Sequence, residues 1–194
     1  MKLLILPLVA LVICSCRTQF KNVRTFPVDR NGCRAFLVVE QDWHYPLGYI
    51  DGEGNLRMIT ADLNTLGQIE AIRPSPGGRR VLIESYGEGH QFISVYDIQA
   101  LMERHADSEM VPAVGTLDPY PGAFAKVKWV DDDTLEFESV SDFHEFDSKL
   151  RRGRYSGDVE DGTMRTWRWR TLDDTFTEMR SQRYLQPARM EVSP

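Results

Sequence analysis

Positive charge is in short supply in this sequence. Its 194 residues carry 23 Lys and Arg against 29 Asp and Glu, which gives a formal net charge of −6. A nucleic-acid partner requires a basic surface that neutralises phosphates, and a polybasic face is also what docks proteins on anionic lipid. The deficit therefore argues against nucleic acid as the main partner and against membrane docking through charge.

Motifs that would assign a reaction are missing as well. The sequence has no Gly-x-Ser-x-Gly, no glycine loop of the phosphate-cradling kind and no paired-cysteine zinc pattern. Serine, histidine and aspartate are present, but their spacing assigns none of them a catalytic role. We therefore predict a non-catalytic binding or scaffolding protein without a cofactor, and the alternative is a ligand- or metal-binding protein or an enzyme.

Long hydrophobic runs are also scarce, and the run that stands out is at the start. Leu3 to Ile13 is an apolar run broken only by Pro7; it follows the positive Met1-Lys2 and precedes the small residue Ser15. This order is typical of a secretory signal peptide. A helix that crosses a bilayer needs about 20 apolar residues, so the run is too short for a retained transmembrane anchor.

The residues Ile13-Cys14-Ser15-Cys16 resemble the lipobox of bacterial lipoproteins, in which an aliphatic, a variable and a small residue precede an invariant cysteine. The resemblance implies removal of residues 1–15, a diacylglyceryl thioether and an acylated amine on Cys16, and a tether over residues 16–30. Aspartate after the cysteine marks inner-membrane retention in that family, so Arg17 favours an outward-facing place on the outer membrane of a Gram-negative cell. The alternative is an ordinary signal peptide cut nearby; Cys14 competes, but it follows the large Ile13.

Cysteine usage then constrains the exported domain. With Cys14 removed and Cys16 lipidated, only Cys33 remains. A single cysteine forms no intramolecular disulfide, so the domain must be held together by its core. Cys33 begins an apolar segment, and we expect a buried small residue there rather than a nucleophile.

The rest of the chain has the pattern of short strands separated by turns. The run Ala35-Phe36-Leu37-Val38-Val39 is short and β-branched, as buried strands are, and it follows the turn Asn31-Gly32. A short helix is predicted over residues 99–105, where Asp97 is a candidate cap. The pattern predicts an all-β domain.

A loose internal repeat organises these strands. The turns Asn31-Gly32, Gly77-Gly78 and Asp131-Asp132-Asp133 each precede an apolar run that ends near an acid, and these acids are Glu40, Glu84 and Glu138. A repeated unit of about 40–50 residues with four short strands is typical of a propeller blade. Residues 141–161 form a long polar insertion in the third unit.

The best-formed unit resembles the WD-like repeat of TolB-type β-propellers. Its matching residues are Ser75-Pro76-Gly77-Gly78-Arg79-Arg80-Val81-Leu82-Ile83 and Ser94-Val95-Tyr96-Asp97-Ile98. That family has aspartate where this turn has Gly77. The resemblance implies a scaffold rather than an activity.

We therefore predict a β-propeller-like domain over residues 31–185 and a flexible tail over residues 186–194. It would contain about three four-stranded blades in an open or incomplete propeller, and the alternative is an antiparallel meander or sandwich. Propellers typically have about 4–8 blades. A fourth unit could be hidden in residues 17–30 plus the tail, or two chains could complete a ring as a homo-oligomer.

Histidines recur in the connection between the second and third strands of each unit. The candidate ligand-binding residues are Trp43, His44, Tyr86, His90, Phe143 and His144. They could form a polar-aromatic ligand surface or, through imidazole and carboxylate, a divalent metal site. The alternative is that they are ordinary polar surface loops that do not converge.

Two further features are expected to be structural. Strand alternation places Trp167 and Trp169 on one face, where we expect core packing rather than a sugar-stacking or partner platform. The basic cluster from Lys149 to Arg154 is expected to be a solvated loop.

Overall fold

The structure is a computed structural model that describes residues 22–40, 46–59, 68–87, 89–103, 111–118, 124–154 and 163–183. In these ranges the chain forms fourteen strands and one short helix, α1 (Ile98–Glu103). The strands are β1 (Asn22–Arg30), β2 (Cys33–Glu40), β3 (Leu47–Asp51), β4 (Leu56–Ile59), β5 (Gln68–Pro74), β6 (Arg80–Gly87), β7 (His90–Asp97), β8 (Gly115–Leu117), β9 (Phe124–Trp129), β10 (Thr134–Ser139), β11 (Asp142–Asp147), β12 (Arg152–Arg154), β13 (Thr163–Arg170) and β14 (Thr175–Arg183).

The strands form three four-stranded antiparallel sheets, as the sequence predicts. Blade 1 has the order β1-β2-β3-β4, blade 2 has β5-β6-β7-β8 and blade 3 has β9-β10-β13-β14. Each blade is an up-and-down meander because neighbouring strands are consecutive in sequence, except in blade 3. There the hairpin β11-β12 is inserted between the second and third strands. Strand β1 lies in the stretch that sequence analysis gives to the tether, so blade 1 begins at Asn22.

The first strands of successive blades lie next to each other. The Arg24 guanidinium on β1 donates to the backbone carbonyls of Ile69 and Glu70 on β5. Trp129 Nε1 on β9 donates to the carbonyl of Arg73 on β5 at 3.0 Å. This side-by-side order of β1, β5 and β9 makes the arrangement propeller-like.

The turns that follow the first strands also touch in sequence order. Asn31 Nδ2 donates to the Gly78 carbonyl at 2.7 Å, and the Gly77 N–H donates to Asp132 Oδ1 at 2.7 Å. A Cβ built on Gly77 would collide with the carboxylate of Asp132. The carboxylate from the neighbouring blade therefore occupies the space that a side chain at position 77 would need.

Two apolar layers hold the three blades together. The first lies between blades 1 and 2 and includes Phe36, Tyr49 and Ile83. The second lies between blades 2 and 3 and includes Leu82, Phe137 and Trp167. Blade 2 is buried on both faces, which explains why its second strand is apolar at consecutive positions instead of alternating.

The insertion between β10 and β13 differs from the polar excursion that its sequence suggests. It contains the hairpin β11-β12, whose Phe143 belongs to the second core layer. Phe143 lies between Trp167 and Phe176, with ring centroids at 5.6 Å and 4.9 Å. Phe143 and the partly buried Phe146 thus pack the insertion against the core.

The structure also tests the predictions made for the Asp97 cap, for Cys33 and for the two tryptophans of β13. Asp97 caps α1, since its Oδ1 accepts the N–H groups of Gln99 at 2.9 Å and Ala100 at 3.2 Å. Cys33 and the pair Trp167 and Trp169 are buried, which confirms their structural interpretation. In the part of the chain that is described, no helix is long and apolar enough to cross a membrane.

Candidate functional site

The candidate ligand-binding residues occupy equivalent places in the three blades. Each stands in or beside the connection from the second to the third strand of its blade. Trp43 and His44 lie outside the described residues, as does the lipidation candidate Cys16. The geometry below therefore concerns the members of blades 2 and 3.

In blade 2, Tyr86 and His90 flank the tight turn between β6 and β7. The Tyr86 ring is half exposed, and its hydroxyl donates to the Gly89 carbonyl at 3.0 Å. His90 Nε2 lies 3.4 Å from Asp118 Oδ1, and its ring is 4.4 Å from that of Phe92. Both side chains thus have partners in or next to their own blade.

In blade 3, the two candidate residues Phe143 and His144 have different environments. Phe143 is a core residue, so it is not available to a ligand at the surface. The His144 side chain is 59% exposed, and its Nδ1 lies 3.0 Å from Asp142 Oδ1 and 3.8 Å from Glu178 Oε2. The ring stands edge-on to Trp167, with centroids 4.9 Å apart. His144 is therefore the member of the set that presents an imidazole to solvent beside two carboxylates.

The two described histidines have different carboxylate partners, Asp118 for His90 and Asp142 for His144. Within the described ranges, no group of three or more His, Cys, Asp or Glu side chains is placed to hold a metal ion. Imidazole and carboxylate ligands must converge on one point to bind a divalent metal. The described residues of blades 2 and 3 therefore do not supply a metal centre by themselves.

An arginine fastens the insertion to blades 2 and 3. Arg151 donates from Nη1 and Nη2 to the two carboxylate oxygens of Asp174 at 2.7 Å and 3.0 Å, and from Nε to the Thr116 carbonyl at 3.0 Å. Its guanidinium also lies 5.3 Å from the centroid of the Phe146 ring. We call this set of contacts the Arg151 latch.

The Arg151 latch joins two residues that have an unusual backbone conformation. Arg151 and Asp174 both have positive φ, 57° and 52°, a conformation that costs a non-glycine residue about 1 kcal/mol or more. A bidentate, charge-assisted pair offsets such a cost. Sequence analysis places Arg151 in a solvated basic loop, and this expectation is wrong for Arg151 and for Arg152, whose Nη2 donates to Asp118 Oδ2 at 2.9 Å.

A second repeated feature lies along the first strands. Each blade joins a basic residue of its first strand to a glutamate of its second strand by an ion pair. The three pairs are Arg24–Glu40, Arg73–Glu84 and Lys126–Glu138. The glutamates are the acids that mark the repeat in the sequence, but their basic partners are not apparent from sequence spacing because strand register selects them.

Glu84 is the most enclosed of the three glutamates, with its side chain 9% exposed. Burial raises the pKa of Glu84, and the adjacent Arg73 guanidinium opposes that rise. Arg73 also donates from Nη1 to the Val127 carbonyl of blade 3 at 2.9 Å. The pair therefore links blades 2 and 3 in the way that Arg24 links blades 1 and 2.

Comparison with known proteins gives information about the fold alone. No protein-family model and no curated protein matches the chain. An uncharacterized protein from Listeria monocytogenes EGD-e has a similar structure, with a TM-score of 0.50, 11% identity and cover of 81% of this chain and 40% of that one. The chain thus spans less than half of that protein.

Two archaeal structures show weaker likeness. The acylaminoacyl peptidase of Pyrococcus horikoshii aligns with a TM-score of 0.49 and 14% identity over 87% of this chain and 26% of that one. The β-propeller domain of the Trilobed protease from Pyrococcus furiosus aligns with a TM-score of 0.35 and 12% identity over 81% of this chain and 57% of that one. The propeller-like fold assigned here stands on the strand order and the contacts between blades.

Proposed function

We propose that the chain is a lipid-anchored cell-envelope protein whose β-domain binds or scaffolds a partner without catalysing a reaction. The observation that carries the proposal is the sequence Ile13-Cys14-Ser15-Cys16, which stands shortly ahead of the folded domain. Asn22, the first residue of β1, comes six positions after Cys16. An extended tether of that length reaches about 20 Å, so the anchor would hold the domain close to the lipid surface.

The domain itself supports a binding role in two ways. Its repeated charged pairs join neighbouring strands, and two of them also reach across to the next blade, which is what a rigid scaffold requires. The acidic composition favours a protein partner in the envelope, or a second copy, over nucleic acid. Arg17 after the lipidated cysteine favours the outer membrane and an outward orientation in a Gram-negative cell.

Lipidation is tested by growing cells with an alkyne-tagged fatty acid and detecting the label on the immunoprecipitated chain. We expect label on the wild type and on Cys14→Ser, and none on Cys16→Ser. Label that persists in Cys16→Ser, or that is lost in Cys14→Ser instead, would contradict the proposed anchor.

Partner binding is tested by crosslinking in intact cells, followed by pull-down of the tagged full-length chain. An abundant partner that disappears with Cys16→Ala supports an envelope scaffold. A chain that yields no crosslinked protein with an intact anchor would contradict this role.

A second candidate function rests on His144. This histidine is exposed, lies beside Asp142 and Glu178 and stands against an indole ring, so it could contribute to a ligand-binding surface at the outer edge of blade 3. A small-molecule fragment screen followed by NMR of the histidine ring protons tests this function. Saturable shifts that His144→Ala abolishes and His90→Ala preserves would support it, and shifts at every histidine alike would count against it.

A further inference from the structure

The face of blade 3 that is turned away from blade 2 is built of charged and hydroxyl side chains. Along β13, Trp167 points into the second core layer, so strand alternation turns its neighbours Thr166 and Arg168 outwards. The register pairs Glu136 with Arg168 and so assigns this glutamate, and Glu138 two residues on, to the same face. The face is therefore polar, as the outer faces of terminal repeats in stacked proteins are.

One row of charges crosses this face from β9 to β13. Glu136 lies between two cations, with one carboxylate oxygen 2.7 Å from Lys128 Nζ and the other 3.1 Å from Arg168 Nε. The hydrogen bond from Lys128 and, to a smaller extent, that from Arg168 hold the pKa of Glu136 below its usual range. One ionised carboxylate thus serves two cations, and the row keeps an excess of positive charge at neutral pH.

A second row lies two residues further along β10. Lys126 Nζ is 2.9 Å from Glu138 Oε1. Arg180 stands on the edge strand β14, opposite Thr166, and donates to the neutral side-chain oxygen of Gln182 at 3.3 Å. This row therefore also holds more cations than carboxylates. We call the charged residues of the two rows the basic face: Lys126, Lys128, Glu136, Glu138, Arg168 and Arg180.

The cations of the basic face reach solvent, whereas its carboxylates are more enclosed. The side chains of Lys126 and Lys128 are 76% and 64% exposed, and that of Glu136 is 16% exposed. Arg170 at the end of β13 is not included, because Asp173 forms an ion pair with it. The whole chain has a net charge of −6, so this surface presents positive charge on an otherwise acidic protein.

We propose that the basic face binds an acidic segment of a protein partner, an inference that rests on the binding role proposed above and names its surface. Exposed lysine and arginine are complementary in charge to carboxylates on a partner. An extended segment places the side chains of one side about 7 Å apart, which is also about the spacing of Lys126 and Lys128 along β9. Alternate acidic residues of one segment therefore meet both lysines.

Two observations favour this partner over a phosphate polymer such as nucleic acid. Glu136 and Glu138 stand within the basic face and would repel a closely spaced row of phosphates. A long polyanion would also run beyond the face, which is about 14 Å wide across its four strands, onto the acidic remainder of the chain. A short segment whose acids alternate with neutral residues meets neither obstacle.

The test is fluorescence polarisation of a labelled peptide of alternating glutamate and threonine, titrated with the purified full-length chain at low salt. Lys126→Gln with Arg180→Gln removes two exposed cations from the basic face. The control is Arg57→Gln with Arg154→Gln, which changes the net charge equally at two exposed cations on blade 1 and the inserted hairpin. Glu138→Gln removes a carboxylate from the face and so tests the opposite direction.

We expect saturable binding that weakens as salt is raised. Lys126→Gln with Arg180→Gln should weaken binding about three- to tenfold, and the control pair should leave it within about twofold. Glu138→Gln should strengthen binding about two- to threefold, which a merely structural role of the face would not produce. Absence of binding, an equal loss in the control pair, or no gain in Glu138→Gln would overturn the proposal.

Other occupants of the basic face are separate outcomes of the same test. Tighter binding of polyphosphate, single-stranded DNA or phosphatidylglycerol vesicles than of the peptide would assign the face to phosphate groups and overturn the proposal. A dimer that light scattering detects in the wild type, but not in Lys126→Gln with Arg180→Gln, would assign the face to a second copy and overturn it too.

This inference and the proposed function can fail separately, because the peptide assay involves neither the lipid anchor nor the cell. An envelope partner whose crosslink in cells is unchanged by Lys126→Gln with Arg180→Gln would contradict the basic face and leave the scaffolding role intact.

Discussion

Arg80 is a buried cation at the junction of blades 2 and 3, and its environment leads to a quantitative prediction. Its side chain is only 2% exposed, and its Nε donates to Asp133 Oδ1 at 2.6 Å. Asp133 belongs to the turn between β9 and β10, so the pair joins two blades. We predict that Asp133→Ala destabilises the domain strongly, because the variant leaves the Arg80 charge buried without its carboxylate.

The size of the effect follows from burial. Removal of one partner from a buried ion pair costs about 3–5 kcal/mol. The Asp133 side chain is 27% exposed, so water can reach the site and the lower end, about 3 kcal/mol, is expected. Domains are typically stable by about 5–15 kcal/mol, so this loss is a large fraction of the free energy of unfolding.

The assay is urea unfolding followed by tryptophan fluorescence, which reports on the buried Trp167 and Trp169. With an m value of about 2 kcal/mol/M, the midpoint should fall by about 1.5 M. Glu138→Ala is the control, because its partner Lys126 is 76% exposed and such surface pairs contribute less than about 1 kcal/mol.

A double variant tests the reasoning more directly. Arg80→Met removes the buried charge, so Arg80→Met with Asp133→Ala should be less destabilised than Asp133→Ala alone. The reasoning is refuted if Asp133→Ala stays within about 0.5 kcal/mol of the wild type. It is also refuted if the double variant is less stable than Asp133→Ala.

Three further predictions concern a turn, a thiol and the latch. Gly77→Ala should destabilise the domain by about 1–3 kcal/mol, because the added Cβ would meet the Asp132 carboxylate. Asp132→Gly in the same chain should recover part of this loss in a thermal melt. A double variant with no recovery would show that the clash is not the cause. Burial raises the pKa of the Cys33 thiol from 9.0 to about 11, so between these values the unfolded chain loses its proton first, and stability should fall by about 3 kcal/mol as pH rises. Urea titrations at pH 9 and pH 11 should show that the free energy of unfolding falls between these pH values in the wild type and not in Cys33→Ala. An equal fall in both proteins would contradict the prediction. Arg151→Ala should speed limited proteolysis in the turn between β11 and β12 and destabilise the domain by about 1–3 kcal/mol. The control is Arg154→Ala, which should change neither measurement because its partner Glu145 is well exposed.

Much of the fold was predictable because local signals agree with tertiary structure. The turn Asn31-Gly32, the β-branched run after it and the cap Asp97 act over a few residues, and each appears where the sequence indicates. The acids Glu40, Glu84 and Glu138 marked the repeat correctly, since each lies at or near the end of a second strand and pairs with a first-strand base.

The candidate site was predictable only in part. Position along the repeat placed Tyr86, His90, Phe143 and His144 in equivalent connections, but it could not show that Phe143 points into the core and His144 out of it. The roles of Arg151 and Arg152 were missed because a run of basic residues ordinarily indicates solvent. Their partners Asp174 and Asp118 are 23 and 34 residues away in sequence.

The sequence by itself determined the short strands, their turns, the three-unit repeat and the acidic composition, because these depend on residue types and on spacings within one unit. It also determined the lipobox-like start on which the proposed anchor depends. Only the tertiary structure decided which side chains meet between units, such as the buried Arg80 and its aspartate, and the contacts of the Arg151 latch. Those contacts join residues that lie tens of positions apart, and their strength depends on burial, which exists only when the blades have stacked.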